Sequence, residues 1–188
     1  MRYEPVIAHR YLCVCALLEM VIRSVNARGP NQIEIAEFLG VHFPRGHSQE
    51  GISNVHHTDD PSRWGVVVQN HEINNLFHSY SIPLTEEYIP INNFEDWSFE
   101  DKIKDVLRSG AHVLCGYSAR SLDSSTRHDD PVPWGHAVAV LDAEPCSGAE
   151  HDITVYDPGP QGSGERRIRG WRLFAAIKAR MDGLWIIK

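Results

Sequence analysis

A chain of 188 residues, 42% of them apolar, is long enough to bury a core without disulfide or metal support. Its formal charge of -7 and sequence pI of 5.8 argue against a phosphate-binding surface, so nucleic acid is not an expected partner. No basic segment followed by an apolar core opens the sequence, and no apolar run approaches ~18 residues. The chain therefore reads as soluble with no membrane partner, either cytoplasmic or exported as an effector without a signal peptide of the general route.

In chain order, the first element is a helix from about Cys13 to Val25. Cys13, Ala16, Leu17, Met20 and Val21 recur at i, i+3, i+4, i+7 and i+8, the pattern of one buried face. Gly29-Pro30 breaks it. Asn31 caps a second helix, with Glu34 three residues on completing a capping box; Ile35, Phe38 and Leu39 form the apolar face and Gly40 the stop. From Val41 to Ser62 the chain turns polar and reads as a long connection. Its His56-His57 and Asp59-Asp60 pairs are better taken as loop than as metal ligands, because adjacent side chains point apart and no third partner has metal spacing. Helical periodicity returns from Val66 through Ile73, Leu76, Phe77 and Tyr80, and Ile82-Pro83-Leu84 opens an extended passage. Ser98, with Asp101 at the capping-box position, heads a helix whose face is Ile103, Val106 and Leu107 and whose end is Gly110.

The period then changes. Ala111 to Tyr117, Trp134 to Leu141, Ile153 to Tyr156 and Leu184 to Ile187 are short runs, rich in Val, Ile, Leu and Trp and bounded by turn residues, and they predict strands. One helix, about Gly170 to Met181, interrupts them with Trp171, Phe174, Ala175 and Ile177 facing inward. The arginines at 166, 167, 169 and 172 read as a solvated helix face. Gly159, Gly162 and Gly164 read as a flexible rim rather than a phosphate loop, since no Lys-Ser/Thr pair follows. Helices first and antiparallel sheet afterwards make this an α+β chain. The expectation is one domain over 1–188, mainly helical to about 110 and mainly sheet from about 111.

Four cysteines stand at 13, 15, 115 and 146, and the close pair has no downstream match at metal-ligand spacing, so no metal and no cofactor is expected. Cys115 reads as a buried strand residue and Cys146 as a loop residue. Cys13 lies in the first helical turn, where backbone N–H groups and the macrodipole favour an anion. A lone cysteine there is more often simple packing, and it gains meaning only with a base elsewhere. His136 qualifies: it stands at the start of the apolar strand Ala137 to Leu141, beside Gly135. Asp157, in Tyr156-Asp157-Pro158-Gly159, closes the next strand after a hairpin through Pro145 and Gly148. By itself it is ordinary turn chemistry, but adjacent antiparallel strands can bring it to the imidazole, where a carboxylate fixes the tautomer and stabilises the imidazolium. Cys15 is rejected as nucleophile because two residues along a helix turn a side chain by roughly 200°.

Three stretches then carry a resemblance to the papain-like cysteine peptidases, and within them to the leader-peptide-cleaving domains of bacteriocin exporters and their stand-alone relatives. They are Cys13 through Met20 with Ala16 inside, Gly135-His136-Ala137-Val138, and Val155-Tyr156-Asp157-Pro158-Gly159. The resemblance implies a helical lobe packed on an antiparallel-sheet lobe with the site in the cleft between, and Cys13, His136 and Asp157 as catalytic triad. Relatives carry glycine directly after the nucleophile and an oxyanion-hole glutamine six residues before it, where this chain has Val14 and Ile7. His9 and Arg10 are the nearest substitute donors, beside the Cys13 backbone N–H. The implied partner is a peptide or protein substrate, and three activities remain open: hydrolysis of a peptide or related amide, acyl transfer on the same triad, and noncatalytic peptide binding.

Overall fold

In the computed structural model, which describes residues 3–25, 28–66, 68, 72–95, 98–119, 135–145, 151–159 and 163–188, the first helix is submerged rather than one-faced. Helix α1 (Cys13–Val25) carries eight consecutive buried residues, Cys15 through Ile22. Such a helix is the axis of its core, since only a helix covered on every side hides a whole turn. Glu19, buried among these residues, forms an ion pair with Arg23 one turn on and accepts the Gln32 backbone N–H at 2.7 Å. That second bond satisfies one of the orphan donors in the first turn of α2 (Gln32–Leu39).

The chain divides into two compact units, Met1–Glu86 with Pro158–Ser163, and Glu87–Asp157 with Gly164–Lys188. In the first, α2 begins where the sequence indicates. Asn31 accepts from the N–H groups of Ile33 and Glu34, and the Glu34 carboxylate accepts the Asn31 N–H at 2.8 Å. Removing the cap should cost about 1 kcal/mol, so Asn31→Ala is expected to lower the urea midpoint in a far-UV circular dichroism titration without changing its slope.

Two expectations for this unit need correction. The polar passage 41–62 is not a plain connection: β1 (Val41–Phe43) and β2 (Val55–His57) pair in parallel. Glu37 organises the return by accepting the N–H groups of Ser53 and Asn54 at 2.5 and 2.9 Å, and His42 and Gly65 exchange backbone hydrogen bonds beyond. Three-residue strands containing histidine carry too little apolar pattern to be read locally. Helix α3 (Glu72–Ser79) starts later than Val66, which lies outside it. Among the described residues no helix is long and apolar enough to cross a membrane.

The second unit is built on a sheet of order β3-β8-β4-β5-β6-β7. Its strands are β3 (Glu86–Pro90), β4 (His112–Ser118), β5 (Gly135–Pro145), β6 (His151–Asp157), β7 (Gly164–Arg169) and β8 (Gly183–Ile187). The pairs β8/β4, β4/β5, β5/β6 and β6/β7 are antiparallel. Alternation sends Val113, Cys115, Val138, Val140, Ile153, Val155, Leu184 and Ile186 to one face. There they pack with Phe99 and Ile103 of α4 (Phe99–Arg108) and with Leu173, Phe174 and Ile177 of α5 (Gly170–Arg180). A register shift between Val140 and Asp142 lets Val140 and Ala143, three residues apart, share that face.

Here too the structure departs from the sequence reading. Ser98 does not cap α4 through a box with Asp101: its backbone is already helical, and its hydroxyl bonds back to the Glu95 carbonyl at 3.1 Å. Arg166, Arg167 and Arg169 lie on strand β7 rather than on a helix face. Trp171 is 55% exposed instead of inward, and Ala175 is exposed as well, while Leu173 and Ala176 take the buried positions. Helix α4 lies in the sheet unit rather than with the helical part. Trp134, Cys146, Gly148 and Gly162 lie outside the described residues.

Candidate active site

The segment that delivers Cys13 to the start of α1 is tied down by a buried amide. The Gln32 side chain donates to the Ile7 carbonyl at 3.0 Å and accepts the His9 N–H at 2.8 Å. A tight turn follows, with the Leu12 N–H on the His9 carbonyl at 3.0 Å and Tyr11 at φ 68°. That conformation is disfavoured for a residue with a bulky side chain. The ring of Tyr11 holds it in place against Phe43, His47 and Trp64, at centroid distances of 5.8, 5.2 and 5.8 Å. Cys13 emerges as the first helical residue, partly exposed.

Cys15, two residues on, is fully buried. Burial pushes its thiol well above the usual range, and the neighbouring Cys13 and Glu19 push it in the same direction. Cys115 is buried in β4 and also raised, by burial and then by Asp182. A thiol held in its protonated form is a poor nucleophile. His9 and Arg10 are both exposed, and the Arg10 guanidinium lies 5.0 Å over the Tyr11 ring. The first unit also holds Pro158, whose carbonyl accepts the Ala8 N–H at 2.8 Å.

In the second unit His136 and Asp157 meet. His136 is the second residue of β5 and faces Tyr117 of β4 across the register, with the rings edge to face at 5.7 Å. The period of two places His136 on the face of Val138 and Val140, and Asp157 on the face of Ile153 and Val155, at the end of the core those residues form. The His136 Nε2 lies 2.6 Å from the Asp157 Oδ1. Asp157 is only 6% exposed, and a buried carboxylate at this site needs compensating charge or donors. Arg166 supplies them: its guanidinium donates to Oδ2 and, at 3.1 Å, to the hydroxyl of Tyr117. Burial, and secondarily the Asp157 charge, hold that phenol above its ordinary range.

Arg166 is the residue that sequence reasoning missed. The signal was present as alternation, since Arg166 and Ile168 fall to one side of Gly164–Arg169 and Glu165, Arg167 and Arg169 to the other. With one apolar residue among six, however, the pattern was too thin to outweigh a helical reading. Register explains the contact: Arg166 stands opposite Val155, two residues from Asp157 and on its face. A cavity of about 480 Å³ opens beside this group, with Tyr117, His136, Asp157 and Arg166 in its wall. Among the described residues, no group of three or more His, Cys, Asp or Glu side chains is arranged to hold a metal ion; His56 lies instead against the ring of His42 at 5.2 Å.

No protein-family model matches the chain, and no curated protein does. The fold does have a solved counterpart. A crystal structure from Bacillus anthracis, of a protein proposed to be a C39-like peptidase, superposes with a TM-score of 0.60 at 14% identity, covering 98% of this chain and 94% of the other. The chain thus has an α+β fold of the papain-like kind. At that identity the likeness concerns fold, and the chemistry has to be argued from the residues.

Proposed function

We propose that the protein is a papain-like cysteine peptidase, or a closely related thiol hydrolase, with Cys13 as nucleophile, His136 as general base and Asp157 as the group that orients it. The observation that carries this reading is the 2.6 Å bond between His136 and the buried Asp157. With Nε2 directed to the carboxylate, Nδ1 is the nitrogen assigned to exchange a proton with the thiol. The Cys13 sulfur attacks the scissile carbonyl carbon as its proton passes to His136. The imidazolium then protonates the leaving nitrogen, the C–N bond breaks, and a thioester remains. Water, deprotonated by His136, releases the acid and restores the thiol.

The nucleophile's position supports the same reading. Cys13 is the first residue of its helix, where N–H groups outside the intrahelical ladder favour developing negative charge. Its own N–H is one candidate for the oxyanion, with His9 or Arg10 as the second donor. The Gln32 amide is instead used to hold the preceding segment, through Ile7 and His9.

A noncatalytic peptide-binding module is the second reading. It is favoured by Ile7, 58% exposed at the position where relatives carry a glutamine donor. Iodoacetamide treatment near pH 6.5 with location of the adduct by mass spectrometry tests the choice. Fast modification confined to Cys13 is expected of the enzyme. If Cys13 reacts no faster than an unactivated thiol, with its ordinary pKa of about 8.5, the binding module is the better account.

A further inference from the structure

The cavity beside His136 and Asp157 has a charge opposite to that of the whole molecule. Its wall holds Arg166, Arg167, Arg169 and Arg172 against two carboxylates, Asp152 and Asp157, in a chain whose formal charge is -7. Asp157 is already engaged by His136 on one oxygen and Arg166 on the other, and its single charge neutralises only one guanidinium. Arg169 lies 3.5 Å from Asp152. Arg167 is paired with Glu144 at the surface, where both side chains are more than half exposed and such a pair contributes little. Arg172 differs from the others: it projects from the first turn of α5, lies 5.8 Å over the exposed Trp171 ring, and has no carboxylate partner among the described residues. Guanidinium groups clustered around a concave wall match carboxylates in particular, because their planar forks bind two oxygens at once.

We infer that this cavity is a subsite for a substrate carboxylate, with Arg172 as its chief ligand, and that the chain selects peptides carrying negative charge on the leaving-group side of the scissile bond. The inference rests on the peptidase reading for its direction: His136 both lines the cavity and protonates the leaving nitrogen, so the cavity adjoins the segment that departs. The cavity's volume of about 480 Å³ accommodates a side chain of the size of glutamate, or the end of a peptide. The carboxylate can therefore be that of an Asp or Glu side chain or the free carboxyl terminus of the peptide.

The test uses the full chain with Cys13→Ala, which holds peptide uncut, and fluorescent hexapeptides read by anisotropy. One pair differs as Glu against Gln after the scissile position, with an amidated end. A second pair is neutral and differs only in a free against an amidated carboxyl terminus. About tenfold tighter binding of the charged member of either pair is expected, falling with salt, and which pair shows it identifies the source of the carboxylate. Arg172→Ala should erase the preference, and Arg172→Glu should turn it toward a Lys-containing peptide, a reversal that a merely structural arginine would not produce. Equal binding within both pairs, or no binding of any peptide by the folded protein, overturns the inference. Cleavage by the unaltered chain without charge preference also overturns it while leaving the peptidase reading intact. Preference without cleavage, together with an unreactive Cys13, keeps the anion site and removes the peptidase.

Discussion

Asp157→Asn is expected to slow peptide hydrolysis by about 10²-fold or more and to move the alkylation of Cys13 toward alkaline pH. The carboxylate accepts from His136 on one oxygen and from Arg166 on the other. The amide keeps the shape but loses the charge that stabilises the imidazolium, and its NH₂ group can only donate, so it opposes either the ring N–H or the guanidinium. Without a stabilised imidazolium the thiolate loses its counter-ion. The variant should therefore react slowly at mildly acidic pH and approach the unaltered protein above about pH 9, where an ordinary thiol is ionised anyway. His136→Ala should be more severe, in the range of about 10² to 10⁴, because base and counter-ion disappear together. Rates of iodoacetamide adduct formation across pH, with circular dichroism to confirm folding, measure both. If neither substitution alters the profile in folded protein, there is no working Cys/His/Asp unit.

The other large effect is at the nucleophile. Cys13→Ala is expected to reduce hydrolysis by roughly 10⁴-fold or more, because the covalent step has no substitute, and to leave stability nearly unchanged, since the side chain is partly exposed at a helix start. Cys15→Ala should do the opposite. Its sulfur is fully buried in the middle of the first unit's core, so removing it costs about 1–2 kcal/mol, a fall in Tm of about 2–4 °C per kcal/mol for a chain of this size. Activity should persist at temperatures where the variant is folded. Thermal melts and initial rates on the same two preparations distinguish the residues. Loss of activity in folded Cys15→Ala equal to that of Cys13→Ala would reverse the assignment.

Much of the fold was legible where its causes are local. The limits of α1 and α2 followed from Gly29-Pro30, from Asn31 with Glu34, and from Gly40, because each of these acts within a turn or two of the residue that carries it. The core strands β4, β5, β6 and β8 announced themselves through runs of Val, Ile, Leu and Ala, whose burial does not depend on which neighbour they find. His136 and Asp157 could be placed at the ends of two consecutive strands for the same reason.

What sequence could not determine were the features that exist only through distant pairing. Strands β1 and β2 hold too few apolar residues to be seen alone, and form because each finds the other and Glu37 closes the connection. Strand β7 is an edge strand of mostly charged residues, stabilised by its ladder with β6. Its arginine at 166 becomes the partner of a buried carboxylate only because that ladder sets it two residues from Asp157. Trp171 follows helical period but stands exposed, since which stripe of α5 is buried is decided by where the sheet and α4 lie. Sequence by itself determined the α+β class, the positions of the main helices and core strands, and the order of Cys13, His136 and Asp157 along the chain. Tertiary structure alone decided that Arg166 and Tyr117 complete the surroundings of Asp157, because a hydrogen bond across strands depends on register, and register is a property of the assembled sheet rather than of any one segment.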